Sequence, residues 1–342
     1  AQQHDRTIMS FHVGNAPDKL FRICEGSERV YWFITPDDAD QIEGDIAQVV
    51  AADSSVAGHL RWVWCLTEQD RVAPVRPAVQ RLVSRDIKVL LPQHQVPTTR
   101  LEKRGIARLV HDLRDVHLGI ALSGGAARGM AHLGTLQALE DAGIVVDALS
   151  GTRVGAMVGV VYAAGIPPAE AAECFARDLT PGLLEQKLPG GGLFYLLRKY
   201  RRRKWDTMLR PYLHDWQLEQ LLTPVSTVAV DLVAGQQVVQ KWGDAVQSIL
   251  DSINLPGLSP PLCRDGLALV DGGVLNNLPA DVLISQGADY VIAVDVGSHL
   301  PEEFSGNRPD TATHLMTAPN TLETLTRAFS VQSSQMNRFG AQ

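Results

Sequence analysis

The sequence predicts an α/β fold built on a mainly parallel sheet, and three observations carry that expectation. The succession strand, glycine turn, helix occurs twice in a row between residues 117 and 165, and parallel strands need such crossovers. Further β-rich runs separated by turn residues follow as far as residue 296. The chain has 342 residues, 45% of them hydrophobic, enough for a large core with a smaller appended region.

In chain order, VYWFI over 30–34 and LRWVWCL over 60–66 read as strands around a helical stretch, Pro36 to Ala52, with Thr35 as its N-cap. A third apolar run, Ile87 to Leu91, precedes the loop PQHQVPTTR, and a boundary is placed near Pro97. Leu101 to Leu113 is an amphipathic helix with Ile106, Leu109, Val110 and Leu113 on its apolar side. HLGIALS over 117–123 is a strand, followed by GGAARG and by a helix from Met130 to Ala142 that Gly143 stops. IVVDALS over 144–150 is the next strand, followed by GTRVG and the apolar, small-residue helix 154–165, which Gly165 and Pro167-Pro168 end. Val225 to Val233 and Gln237 to Lys241 form a strand pair, Leu267 to Val270 a strand that meets Asp271-Gly272-Gly273, and Tyr290 to Val296 the closing strand. Residues 302–318, rich in Pro, Thr and Asn, read as a loop, and 321–338 as a helix.

Composition narrows the function. Lys plus Arg number 31 against 38 Asp plus Glu, the opposite balance to that of a duplex-binding protein, so nucleic acid is not expected as a partner. Cys24, Cys65, Cys174 and Cys263 are far apart, without C-x-x-C spacing, and read as buried thiols in a reducing compartment. The nearly uncharged run 154–170 is cut by glycines and by Pro167-Pro168 and falls short of the roughly 20 residues of a membrane span. Residues 1–10 show no apolar core of a secretory signal. A cytoplasmic location is therefore expected.

Three stretches have the residue types that chemistry needs. Ser123-Gly124-Gly125-Ala126-Ala127-Arg128-Gly129 lies between strand and helix, where backbone N–H groups favour a negative charge; a plain structural turn is the competing reading. Met130-Ala131 after Gly129 excludes a Walker loop, and the glycine spacing excludes a dinucleotide fingerprint. Gly151-Thr152-Arg153-Val154-Gly155 has the frame of a nucleophile elbow, G-x-S-x-G, with Arg153 in the serine's place. A guanidinium is always protonated and offers only donors, so Arg153 is no nucleophile. Asp271-Gly272-Gly273 puts a carboxylate at a strand end, where open α/β sheets place ligands, though D-G-G is also an ordinary turn.

Together these blocks, with the continuation Val274-Leu275-Asn276-Asn277-Leu278-Pro279, resemble the patatin-like phospholipases. Leu255-Pro256-Gly257 with Pro260-Pro261, and Gly287-Ala288-Asp289 before 291–295, resemble the neuropathy target esterase branch and its bacterial relatives. The resemblance covers about residues 101–300. It implies a three-layer α/β/α domain over 98–342 behind a small α/β region over 1–97, and a serine–aspartate dyad that hydrolyses lipid acyl esters without a cofactor. On it, Asp271 matches the dyad aspartate, Gly124, Gly125, Ala126 and Arg128 the oxyanion loop, and Gly151 and Gly155 the elbow. Arg153 holds the nucleophile's position, by natural divergence or by an engineered change, and negligible hydrolysis is expected. Because the dyad partners touch in the family, Arg153 is expected to reach Asp271 and pair with it in a bidentate manner. A natural pseudoenzyme, acting as a lipid-binding or regulatory module, is the alternative.

The expected partners are a phospholipid or lysophospholipid and, peripherally, a membrane surface. LFYLLRKYRRRKW over 193–205 places Arg198, Lys199, Arg201, Arg202, Arg203 and Lys204 among aromatic residues, as a segment at an anionic membrane does; a solvated helix face is the competing reading. His299 and His314 follow Asp271 in chain order but sit in no strand-end motif, and His132 reads as structural. No His/Cys/Asp/Glu spacing suggests a metal.

Overall fold

A computed structural model describes residues 27–52, 58–68, 70–72, 83, 85–92, 96–179, 204–257, 259–297, 328, 331 and 332. The chain divides into two compact units, Ala1–Gly105 and Ile106–Gln342.

In the first unit, β1 (Val30–Ile34), α1 (Ala39–Ala52), β2 (Leu60–Leu66) and β3 (Arg85–Leu90) follow the sequence reading closely. The strands form a parallel sheet in the order β1-β2-β3, with Trp32 opposite Trp62 and Val63 opposite Ile87. Central β2 is buried on both faces, Trp62 packing edge-to-face on Trp64 with ring centroids 5.9 Å apart. Thr35 is not an amide cap: its hydroxyl donates to Asp38 at 2.6 Å and steadies a short 3-10 turn, Pro36–Asp38, that leads into α1. The start of α2 (Arg100–Arg114) is a capping box, in which Glu102 accepts the amides of Thr98 and Thr99 and the Thr99 hydroxyl accepts that of Glu102.

The second unit holds β4 (Leu118–Leu122), α3 (Ala131–Asp141), β5 (Ala148–Gly151), α4 (Val154–Ala163), α5 (Pro168–Leu179), α6 (Lys204–Leu213), β6 (Val225–Asp231) and β7 (Gln236–Gln240). After them come α7 (Ala245–Ile253), β8 (Leu262–Arg264), β9 (Leu267–Asp271), α8 (Ala280–Ser285) and β10 (Tyr290–Val294). The sheet runs β10-β4-β5-β6-β9-β8, with β7 also on β6. Strands β10, β4, β5 and β6 are mutually parallel, whereas β7 and β9 run antiparallel to β6, and β8 to β9.

Alternation along β4 makes the layers. Ile120 and Leu122 join Leu149, Met157, Val161, Leu136, Phe175 and Ile249 in the larger core, while Ala121 turns to Leu278, Ala280 and Leu283 on the other face. Every residue of α4 is buried, as expected of a helix that is apolar all round. The sequence reading starts the helix after the first glycine loop at Met130; the structure fills that stretch with a 3-10 turn, Ala126–Met130, before α3. It also begins β5 at Ala148 instead of residue 144. Of the cysteines read as buried thiols, Cys65 and Cys174 are half-buried and Cys263 is exposed on short strand β8. Cys24 and the loop and helix expected at 302–338 lie outside the described residues, apart from positions 328, 331 and 332.

One carboxylate closes the tip between β6 and β7. Asp231 accepts the amides of Ala268, Ala234 and Val233 at 2.9, 2.9 and 3.1 Å, which hold its carboxyl below the usual range. A lowered folded-state pKa stabilises above the unfolded value and is lost as pH falls through the folded one. Asp231→Asn is therefore expected to lower the thermal midpoint at neutral pH, with the difference from wild type shrinking as pH falls below the ordinary carboxylate range. A pH-independent difference in thermal scans would contradict this.

Candidate active site

The site exists because two strands end against each other on one edge of a third. Strand β7 takes one edge of β6 over Thr227–Asp231. On the other edge, β5 pairs with Val225–Thr227 and stops at Gly151, opposite Thr227, while β9 comes from the opposite direction and stops at Asp271, opposite Ala229. The carboxyl ends of β5 and β9 therefore face one another two residues apart along β6. What leaves β5 and what ends β9 are brought together there.

What leaves β5 is the sharp turn Gly151–Gly155. Arg153 opens α4 at φ 57°, ψ −123°, outside the left-handed helical well, a strained conformation for a residue with a side chain. Neighbouring groups hold it there. The Arg153 amide donates to the Ser252 hydroxyl at 2.9 Å, and that hydroxyl donates to the Val228 carbonyl at 2.6 Å. The Thr152 amide donates to Leu122 O and its hydroxyl to Asn276 O, at 3.2 and 2.8 Å. The flanking glycines allow the close approach: a Cβ at Gly155 would lie 2.2 Å from Leu122 O, and one at Gly151 would lie 2.5 Å from the Gly155 carbonyl.

The Arg153 side chain reaches Asp271, with Nε 2.6 Å from both carboxylate oxygens. This pair joins the two sequence blocks, but not as the expected fork of two nitrogens on two oxygens. A single N–H is shared between both oxygens, and the two terminal nitrogens of Arg153 donate to nothing among the described residues. Asp271 is fully buried and the Arg153 side chain is 20% exposed. The Asp271 amide donates to Asn254 O at 2.9 Å, and its Oδ1 accepts the Gly273 amide at 2.7 Å. Burial pushes the Asp271 carboxyl above the usual range, and Arg153 and the Gly273 amide pull against that rise.

The Arg153 side chain lies between two glycines. A Cβ on Gly124 would come within 2.5 Å of Arg153 Cδ, and one on Gly273 within 2.6 Å of Cζ and Nε. Of the loop residues singled out in sequence, Gly124 has spent its amide on Asn277 O, at 3.1 Å. The amides of Gly125 and Ala126 donate to nothing among the described residues, and Ala126 takes φ 51°. Arg128 stands apart from the pair, its Nε donating to Val296 O at 3.0 Å. His132, fully buried, meets Ser123 O through Nε2 at 2.8 Å, and burial holds its pKa below the ordinary value; it anchors the loop from behind.

The nearby hydroxyls are committed elsewhere. Ser150 donates to Pro279 O at 2.6 Å, and Ser123 accepts the Val296 amide at 2.9 Å; both are fully buried. Sequence reasoning missed Ser252, Asn254 and Asn277, which hold the turn, the aspartate and the glycine loop, because their contacts span long sequence separations. The run Asn276-Asn277 beside Asp271 was the available signal for the last. Arg198, Lys199, Arg201, Arg202, Arg203, His299 and His314 lie outside the described residues; Lys204 begins α6. Among the described residues, no cluster of three His, Cys, Asp or Glu could hold a metal, and no helix is long and apolar enough to cross a membrane.

Residues 120–284 match the family model for patatin-like phospholipase. The chain is 36% identical over 202 residues to patatin-like phospholipase domain-containing protein 6 of Homo sapiens, a match covering 58% of this chain and 15% of that protein. It is 32% identical over 248 residues to an uncharacterized NTE family protein of Mycobacterium tuberculosis, covering 68% of this chain and 41% of that one. It is 33% identical over 198 residues to neuropathy target esterase sws of Drosophila melanogaster, covering 56% of this chain and 14% of that protein. The chain thus spans less than half the length of each of these relatives.

Removing Arg153 leaves a buried carboxylate without its cation. In Arg153→Gln the folded-state pKa of Asp271 rises further, and a raised acid pKa favours the fold at low pH and loses stability as pH rises through it. The variant is expected to be destabilised by about 2–4 kcal/mol near neutral pH, with the deficit shrinking toward about pH 4. Unfolding midpoints measured across that range check it; a deficit that grows on acidification would contradict it.

Proposed function

We propose that this chain, whose residues 120–284 match the family model for patatin-like phospholipase, is a lipid acyl-ester hydrolase scaffold of the serine–aspartate type, silenced at its nucleophile position by Arg153. One observation carries the proposal. Arg153 occupies the strained residue of the G-x-x-x-G turn, at φ 57° and ψ −123°, and its Nε lies 2.6 Å from both oxygens of Asp271.

That is the place where a serine hydroxyl would meet its base. A guanidinium has no proton to lose at any ordinary pH and no lone pair to attack a carbonyl. Ser150 and Ser123 are buried, and their hydroxyls are committed to the backbone. The amides of Gly125 and Ala126 match donors of an oxyanion hole, whose removal typically costs about 10² to 10³ in rate. That stabilisation acts only after a nucleophile has attacked, so it does not replace the missing step.

The same reading makes phospholipids or lysophospholipids the substrate class and a cytoplasmic, peripheral position at membranes the setting. The 198–204 basic stretch is its membrane contact. The Arg153–Asp271 pair equally favours a second reading, a natural lipid-binding or regulatory module in which the hydrolytic base is permanently occupied.

Restoring the nucleophile separates the two. Arg153→Ser is expected to hydrolyse p-nitrophenyl butyrate and lysophosphatidylcholine at least about 10³-fold faster than wild type, which stays at background. Adding Asp271→Asn to that variant is expected to abolish the gain. A folded but silent Arg153→Ser would overturn the silenced-dyad reading in favour of the module.

A further inference from the structure

We propose that His111, Asp112, His117, Asp147 and Asp289, gathered in the second unit at the amino ends of β4, β5 and β10, form a proton-operated latch. It fastens the last turn of α2 and the edge strand β10 to β4 while its two imidazoles are charged. The latch lies at the opposite end of β4 from the glycine loop and does not depend on the lipid reading.

Helix α2 delivers His111 and Asp112 in its last turn. The chain then reverses at Asp115, φ 55°, with the Val116 amide donating to His111 O at 3.0 Å, and His117 leads into β4. The His117 ring stands between two carboxylates: Nε2 lies 3.0 Å from Asp112 Oδ1, and Nδ1 lies 2.8 Å from Asp289 Oδ2. Backbone contacts fix it there. Asp289 Oδ2 also accepts the His117 amide at 2.8 Å, and the amides of Asp289 and Tyr290 donate to His117 O, each at 3.0 Å. Beside it, His111 Nδ1 lies 2.9 and 3.1 Å from the two oxygens of Asp147, whose Oδ2 accepts the Leu118 amide at 2.7 Å.

A neutral imidazole has one N–H and one lone pair. With a carboxylate at each nitrogen, a neutral His117 turns its lone pair onto one of them, whereas the imidazolium donates to both. Water gives little relief, because the side chains of His117 and Asp112 are only 10% and 2% exposed. Burial pushes the Asp147 carboxyl up, and the Leu118 amide, His111 and His117 pull it down. Three carboxylates thus face two imidazoles, and the cluster stays net negative even with both rings charged. Of the arginines in the last two turns of α2, Arg108 spends Nη1 on Thr223 at 2.8 Å and Arg114 is exposed.

The folded chain therefore holds protons here that the unfolded chain releases near neutral pH. Such a latch stabilises at low pH and is lost as pH rises. Strand β10 is the element most open to that loss, since it ends the sheet and pairs with β4 alone among the described strands.

Hydrogen exchange of the full chain, read by peptide mass at about pH 6 and about pH 8 and corrected for intrinsic rates, tests the latch. Peptides spanning 111–118 and 289–294 are expected to open about tenfold more often at the higher pH, while α4 changes by less than about twofold. Asp289→Asn removes one of the two charges facing His117 and is expected to cut the tenfold rise to under about threefold. A measurement on wild type stands apart from the variant's folding: long-range 15N–1H spectra at about pH 7 are expected to show both ring nitrogens of His117 protonated.

Equal opening at the two pH values would overturn the latch, as would an undiminished rise in a folded Asp289→Asn. A bare ring nitrogen on His117 in the neutral spectrum would also overturn it. So would a rise shared equally by α4, which would mark a general loss of stability instead of a local release.

Discussion

The contact between Arg153 and Asp271 is the interaction around which the second unit's candidate site is arranged. Asp271 is fully buried at the end of β9, and a carboxylate there requires a cation, directed donors or a proton. The Gly273 amide supplies one donor and Arg153 the cation. Reaching that carboxylate requires the residue after β5 to leave the sheet in a conformation outside the ordinary wells. It also requires glycines on both sides of the Arg153 side chain, since a Cβ at Gly124 would crowd its Cδ and one at Gly273 its Cζ and Nε.

The strain at Arg153 and the burial of Asp271 are two costs met by one arrangement. Ser252 ties the Arg153 amide to β6, Asn254 ties the Asp271 amide to the end of α7, and Asn277 ties the glycine loop to the segment after β9. Each tether joins a different element to the place where β5 and β9 stop. The tethers aim the Arg153 side chain at Asp271 and leave an ion pair with unused donors at its outer end.

Much of the scaffold was legible in the sequence, because β4, β5, β9 and β10 are short apolar runs with a glycine or aspartate at or just beyond their ends. Helix α7 was overlooked although Val246, Ile249, Leu250 and Ile253 repeat at helical spacing and Asp244 caps the amide of Gln247. Helix α8 has six residues, too few for periodicity to show. The Arg153–Asp271 contact was expected only through family resemblance, since it joins residues 118 positions apart. Its form, one shared N–H instead of a fork, depends on where the two strand ends stop along β6, and no local pattern encodes that.

The central claim is that Arg153 and Asp271 act as one energetic unit. A double-mutant cycle of Arg153→Gln and Asp271→Asn, followed by equilibrium unfolding at neutral pH, measures it directly. The account predicts a coupling of about 1.5–3 kcal/mol, with the double variant more stable than the sum of the single losses implies. Losses that add to within about 0.5 kcal/mol would contradict it.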